Sequence, residues 1–274
     1  MRVAVLLTGH VRSHGETHAN LRKHLLDLYD CDVFCSTWAS NGLVNAKEAT
    51  LLSDLYGEKL KKIHIEDPRI YNEGKMVYKR TGHQDGEVYS PEKREEAERT
   101  GRLFYLKPGV HLSNGIWWVN RLSDQFHLVK RGFNLIRGAA SDETPYDVVV
   151  RVRFDASFSQ PLRLSAETLT VPYFFGEYTR NEGGIRYHIT DHFAYGGMED
   201  MGEYCNLHSC MKDLYENFDI DISFAESMMY DYLLRYCKIP VRVQNFKYEI
   251  ERPSEDFKSF DVRNTIDAFP HGPN

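Results

Sequence analysis

Apolar runs and amphipathic stretches alternate along the first part of the chain. Residues 2–7 (Arg-Val-Ala-Val-Leu-Leu) form an apolar run that predicts a buried strand. Thr8-Gly9-His10-Val11-Arg12 interrupts it as a loop. Ser13-His14-Gly15-Glu16 then has capping-box spacing, and Leu21, Leu25 and Leu28 follow at a helical period. Residues 31–37 predict a second strand that ends at Trp38, residues 46–56 a helix, and residues 61–65 a third strand. This β-α-β-α-β opening predicts an α/β fold with a mostly parallel central sheet of Rossmann type, flanked by helices.

The pattern then lapses. Residues 67–114 are polar and rich in charge, Gly and Pro, with one possible short helix at 91–100. They read as an insertion or lid over a site. Periodicity returns with a long amphipathic helix at 116–139, whose stripe is Ile116, Val119, Leu122, Phe126, Val129, Phe133 and Ile136. A strand at 148–154 follows, then short segments at 169–175 and 185–196. Helices are expected at 198–215 and 224–237, and a strand at 239–246. Residues 1–250 read as a single domain, and 251–274 as a polar, Pro-bearing tail that wraps the surface. No internal repeat is visible.

Charge changes this picture most at residues 146–162. Val148, Val149, Val150 and Val152 make a buried strand, yet Arg151, Arg153 and Asp155 appear at its carboxyl end. Buried charge without partners is costly. The carboxyl ends of central strands are where open α/β sheets bind ligands. Two arginines and one acid there leave positive charge over, which suits a polyphosphate. A structural salt bridge at a strand end would use the same residues. Thr8, Gly9, His10 and Arg12, between a strand and a helix start, should share that sheet edge. Glycine allows close backbone approach, and a helix N-terminus with an arginine favours an anion. A tight turn with a solvated arginine is the plainer account.

Composition narrows the classes. The chain has 274 residues, a net charge of −6 and 42% hydrophobic residues, enough for one large core and without a basic field for nucleic acid. Five cysteines at 31, 35, 205, 210 and 237 match no metal knuckle and suggest free thiols in a reduced compartment. No signal peptide is visible, and no apolar stretch approaches the roughly 18 residues of a membrane span. The expectation is therefore a cytoplasmic protein, with the oligomeric state left open. Of the tryptophans, Trp38, Trp117 and Trp118 could stack on a base or sugar, or fill the core.

The run Tyr-Asp-Val-Val-Val-Arg-Val-Arg-Phe-Asp at 146–155, with Pro161-Leu162 following, resembles the Asp-x-Asp region of GT-A glycosyltransferases. The opening Val-Leu-Leu-Thr-Gly-His-Val-Arg and the Ser36-Thr37-Trp38 strand end are similar to a group of bacterial and large-virus glycan-building enzymes. The likeness spans most of residues 1–240 at the level of motifs. It implies a GT-A-like fold and transfer of a sugar from a nucleotide diphosphate sugar to a hydroxyl of a glycan acceptor. A UDP-sugar is implied, with UDP-xylose or another small sugar as a guess. The resemblance places Arg12, Arg153 and Asp155 on the diphosphate, and Asp155 on Mn²⁺ or Mg²⁺. The family's first Asp is Arg153 here, so the guanidinium could replace the cation.

The resemblance also draws attention to Asp191-His192-Phe193-Ala194-Tyr195-Gly196-Gly197, near the acceptor and the reacting carbon in that family. Asp191 could be the general base or hold donor hydroxyls, and His192 could share either role. A turn aspartate and a core-edge histidine are the plainer readings. Glu226 competes for the base, but Ser223-Phe224-Ala225-Glu226 is itself a capping box. Gln125 and Lys130 on the long helix could touch the nucleotide, and His271 faintly resembles a C-terminal metal ligand. A nucleotidyltransferase and a non-catalytic sugar-binding module are the rival readings.

Overall fold

The computed structural model describes residues 1–11, 13–39, 46–67, 112–141, 145–172, 174–179, 184–218, 225–244 and 246–251. The expected lid at 68–111, Arg12, Ser223 and His271 lie outside the described residues, as does the tail beyond Glu251. The side chains of Trp117 and Trp118 do too. β1 (Arg2–Gly9), α1 (His14–Leu21), β2 (Asp30–Trp38), α2 (Ala46–Tyr56) and β3 (Leu60–Glu66) form the opening the pattern predicts. Next come α3 (Leu112–Arg137), β4 (Val148–Arg153), β5 (Ala156–Phe158), β6 (Leu169–Val171), β7 (Phe174–Thr179) and β8 (Gly184–Ile189). β9 (Phe193–Gly196), α4 (Met198–Cys205), α5 (Leu207–Phe218), α6 (Ala225–Tyr230), β10 (Val241–Val243) and β11 (Tyr248–Ile250) complete the order.

Among the described residues the main sheet has seven strands in the order β10-β6-β9-β4-β1-β2-β3. β1 runs parallel to β2 and β4, β2 to β3, and β10 to β6. β9 is antiparallel to β4 and β6. The α/β class and mostly parallel central sheet are as expected. Two ribbons, β5 with β11 and β7 with β8, stand beside the sheet.

Apolar residues on both faces of β1 and β4 explain why these strands sit centrally. Ala4, Leu6 and Val149 face a layer holding α3, α4, α5 and α6. Val3, Val5, Leu7, Val148, Val150 and Val152 face a layer holding α1 and α2. Each such aliphatic side chain contributes about 1.5–3 kcal/mol on burial. Of the α3 stripe, Leu122, Phe126, Val129, Phe133 and Ile136 are in the core, while the side chains of Ile116 and Val119 lie outside the described residues. Gly132 is what lets α3 approach so closely, because a Cβ there would run into the Leu6 side chain.

Several expectations fail in detail, each for a local reason. Ser13 makes no capping bond, and its hydroxyl donates to Glu251 O at 2.8 Å instead. After Leu21 the helix widens into a π-turn at Arg22–Leu26. The helix ends there, capped at Asp27, so Leu25 is buried but Leu28, in the turn that follows, is 46% exposed. The helix expected at 198–215 breaks between Cys205 and Leu207 into α4 and α5. The strand expected at 239–246 is instead two short strands, β10 and β11. The second pairs with β5, a strand the pattern does not reveal.

Candidate functional site

Parallel pairing of β1 with β4, in register from Val3↔Val148 to Thr8↔Arg153, brings Thr8 and Gly9 to the same sheet edge as Arg153–Asp155. The positive φ of Gly9 (111°) turns the chain out of β1 there. His10 follows, exposed. Antiparallel pairing of β9 with β4, with Val152↔Phe193, carries Asp191 and His192 to that edge from the other side. α6 packs on β8, so Glu226 in its first turn faces Asp191. Candidates scattered over more than two hundred positions of sequence therefore meet at the carboxyl end of β4.

Arg153 grips Asp155 with two parallel bonds, Nε to Oδ1 at 2.7 Å and Nη2 to Oδ2 at 2.6 Å. Burial opposes the charge on Asp155, but the Arg153 hydrogen bonds and its positive charge outweigh it and hold the carboxyl below its ordinary value. Nη1 of Arg153 takes no part in this grip. Both oxygens of Asp155 are engaged, and no group of three His, Cys, Asp or Glu among the described residues is arranged to hold a metal ion. The described residues thus do not fit the Mn²⁺ or Mg²⁺ site that the motif suggests.

Arg151 is the more buried of the two arginines. It is 1% exposed and stands one residue pair deeper in β4, on the α3–α4 side of the sheet. Its Nε donates to Thr8 Oγ1 at 3.1 Å, and its Nη1 has no hydrogen-bond partner. Its charge bears on Asp191, which is 3% exposed. Asp191 supplies the second negative charge that sequence reasoning on residues 151–155 left out. Two guanidinium groups meet two carboxylates, and the positive charge expected to be left over is balanced.

Asp191 is held on several sides. Gln125 Nε2 donates to its Oδ2, Tyr204 Oη donates to its backbone carbonyl at 3.3 Å, and His192 Nε2 lies 3.3 Å from Oδ1. Burial opposes its ionisation, while His192, Arg151, the Gln125 amide and Arg153 outweigh that and lower its pKa. Burial pushes His192 below its ordinary value, more than Asp191 lifts it. Glu226 behaves oppositely. Burial, then the negative charge of Asp191, push it up to about 7. Two neighbouring carboxyls with pKa values driven apart are an arrangement suited to proton transfer at neutral pH.

Sequence reasoning missed Tyr248 and Thr190. The Tyr248 hydroxyl lies 2.9 Å from Thr190 Oγ1 and 3.2 Å from His192 Nδ1. β11 continues to Glu251, whose N–H donates to Asp155 O at 2.7 Å. A C-terminal strap thus touches both functional turns. No local pattern around Tyr248 signals this, because the pairing of β11 with β5 spans about ninety residues of sequence. Gln125, a minor candidate, is brought to Asp191, while Lys130 lies farther along α3. Trp38 is buried and stacked on His127 with ring centroids 6.0 Å apart.

No family model matches the sequence, and no curated protein matches it. Among solved structures, the chain is similar to mouse xyloside xylosyltransferase 1 in its apo form. Identity is 11%, the match covers 88% of this chain and 84% of that one, and the TM-score is 0.36. It is also similar to the galactosyltransferase LgtC in complex with donor and acceptor sugar analogues. There identity is 11%, coverage is 85% of this chain and 70% of that one, and the TM-score is 0.43. At such identity the likeness concerns the path of the chain and carries nothing about substrate.

Proposed function

We propose that the protein is a glycosyltransferase that moves a sugar from a nucleotide diphosphate sugar to a hydroxyl of a glycan acceptor. The observation that carries this reading is the pairing of Glu226, near neutrality, with an ionised Asp191 at the sheet edge that also bears Arg153 and Asp155. Attack by an acceptor hydroxyl needs a group that takes its proton, and a base is most effective with a pKa near the working pH. Glu226 meets that condition. Asp191, held ionised and bonded by Gln125, is the partner that tunes it. We therefore assign the base to Glu226 rather than to Asp191 or His192.

Departure of the nucleoside diphosphate develops negative charge on the leaving oxygens. Arg153 is fixed in orientation by Asp155 and keeps Nη1 for an anion. Arg151 and Arg153 balance Asp155 and Asp191, so a further cation is needed for the diphosphate. Arg12, which the resemblance places on the diphosphate, is the candidate from this chain. A UDP-sugar, with UDP-xylose among the first to test, remains the proposed donor.

A panel of nucleotide sugars, each with a glycan acceptor and with or without Mn²⁺, tests the reading. Release of free nucleoside diphosphate that depends on acceptor supports it. Glu226→Gln should lower kcat by about 10²–10⁴-fold, the usual contribution of a positioned base. Asp155→Ala should abolish the rise in melting temperature that the preferred donor gives the wild type. Saturable binding without turnover of any donor would favour a sugar-binding module. Exchange of pyrophosphate into nucleotide would favour a nucleotidyltransferase.

A further inference from the structure

The Tyr248 hydroxyl closes a ring of hydrogen bonds. Antiparallel pairing of β11 with β5 sets Tyr248 opposite Phe158, with ring centroids 6.2 Å apart, and brings its hydroxyl to the 190–192 turn. There the His192 backbone N–H donates to Thr190 Oγ1 at 3.4 Å. Thr190 Oγ1 lies 2.9 Å from the Tyr248 hydroxyl, and that hydroxyl lies 3.2 Å from His192 Nδ1. The neighbours of this ring assign its protons. Asp191 is held ionised and only accepts, and its Oδ1 stands 3.3 Å from His192 Nε2. A bare nitrogen there would set a lone pair against a carboxylate, so Nε2 carries the ring proton. Nδ1 is then the acceptor, and Tyr248 donates to it. With its one proton committed, the Tyr248 oxygen accepts from Thr190, whose own oxygen accepts from the His192 backbone.

We propose that Tyr248 is a positioning residue for His192: its hydroxyl occupies the Nδ1 lone pair, so that the imidazole meets a substrate oxygen with Nε2–H as a hydrogen-bond donor and not as a base. This deepens the glycosyl-transfer reading and rests on it. Tyr248 touches no reacting atom and acts through His192. Three observations leave Nε2–H for a ligand. It approaches Asp191 Oδ1 outside the line of a hydrogen bond, and Oδ1 has no hydrogen-bond partner. The His192 side chain is 21% exposed and that of Asp191 only 4%, so the imidazole is the part of this pair that a ligand can reach. Pairing of Val152 with Phe193 places His192 at the sheet edge that bears Arg153 and Asp155. A sugar hydroxyl or ring oxygen offers the acceptor that such an N–H needs. The same geometry explains why His192 is passed over as the base, because its basic nitrogen is committed to a residue 56 positions further along the chain.

Nitrogen-15 spectra of the imidazole rings read this arrangement without a substrate, with His192→Gln to assign the signals. They are recorded at about pH 8, above the ordinary histidine value of about 6.5, where the ring holds a single proton. The wild type should show His192 protonated on Nε2, with Nδ1 bare and hydrogen-bonded. Tyr248→Phe should move the Nδ1 resonance to the position of a free lone pair. A wild-type ring protonated on Nδ1 overturns the proposal, and so does an Nδ1 resonance that stays unmoved in Tyr248→Phe. Should that variant not fold, the wild-type spectrum decides. In the transfer assay Tyr248→Phe should lower kcat/KM by about two- to tenfold, the contribution of one hydrogen bond. His192→Gln keeps an N–H close to the Nε2 position and should retain more activity than His192→Ala. In the His192→Gln background, Tyr248→Phe should cause no further loss. Equal losses in both backgrounds would mark Tyr248 as a support of the fold and overturn the proposal. Ring protons placed as described in a protein that transfers no sugar would refute the enzyme reading alone and leave the proton assignment standing.

Discussion

His14 shows how one side chain can hold a functional turn in place. It is fully buried on α1, and its Nδ1 contacts Phe154 O at 2.9 Å. A carbonyl only accepts, so Nδ1 carries the proton and the Tyr56 hydroxyl donates to Nε2 at 2.5 Å. Thr17 Oγ1 donates to the same carbonyl at 2.6 Å. Phe154 lies between Arg153 and Asp155, so this network sets the turn from below. Burial pushes His14 down to about 4, against the lift from the Phe154 bond. An unfolded histidine protonates near 6.5, so below that pH the unfolded chain binds a proton that the folded chain refuses. The contribution is complete above about 6.5 and is lost as pH falls toward 4. Its size is about 3 kcal/mol. Urea denaturation at pH 7 and pH 4 should show this loss in the wild type, and His14→Gln should be less stable at pH 7 with a shallower slope. An equal slope in both proteins would remove His14 from the account.

Elements depend on spacing as much as on composition. The α3 stripe was legible because seven apolar residues recur at helical spacing, but Gly132 carried no such signal. Only its contact with β1 shows that the backbone must come this close. Gly132→Val should force α3 away from Leu6 and destabilise the fold by about 1–3 kcal/mol or more, the usual cost of overpacking. Adding Leu6→Ala should recover part of that loss, because the two positions share one space. Thermal melts of the single and double variants check both statements. The expectation for α1 fails in the same way. Leu21, Leu25 and Leu28 look periodic, yet the helix closes with a π-turn at Leu26 and Leu28 falls in the turn beyond it, exposed. A 3.6-residue template does not say where the helix stops.

Over the whole molecule, the site is assembled by the sheet and closed by the C-terminal strap. Ser13 Oγ donates to Glu251 O, Ser157 Oγ donates to Glu251 Oε1 at 2.9 Å, and Tyr248 reaches Thr190 and His192. Ending the chain after Lys247 should leave the seven-stranded sheet folded, since β11 belongs to a separate ribbon. It should nonetheless lower donor-induced stabilisation sharply, because both functional turns lose their support. Circular dichroism reads the first outcome and thermal shift with the preferred donor reads the second. Tyr248→Phe should give a smaller loss, as it removes the hydroxyl and keeps the strand. Among the described residues no helix is long and apolar enough to cross a membrane.

Local pattern alone determined the α/β class, the identity of β1, β2, α2, β3, α3 and β4, and the concentration of charge at the end of β4. Those features follow from side-chain period and from the cost of burying charge, both written in neighbouring residues. Sequence also nominated Asp191 and Glu226, but it could not rank them. Their difference comes from burial, from the charges of His192 and the β4 arginines on Asp191, and from the Gln125 amide of α3. Only the tertiary structure decided that Arg151 is buried against Thr8, that Arg153 is engaged by Asp155, and that Tyr248 reaches Thr190 and His192. Each of these depends on pairings between segments far apart in the chain, and such pairings are set by the packing of the whole sheet.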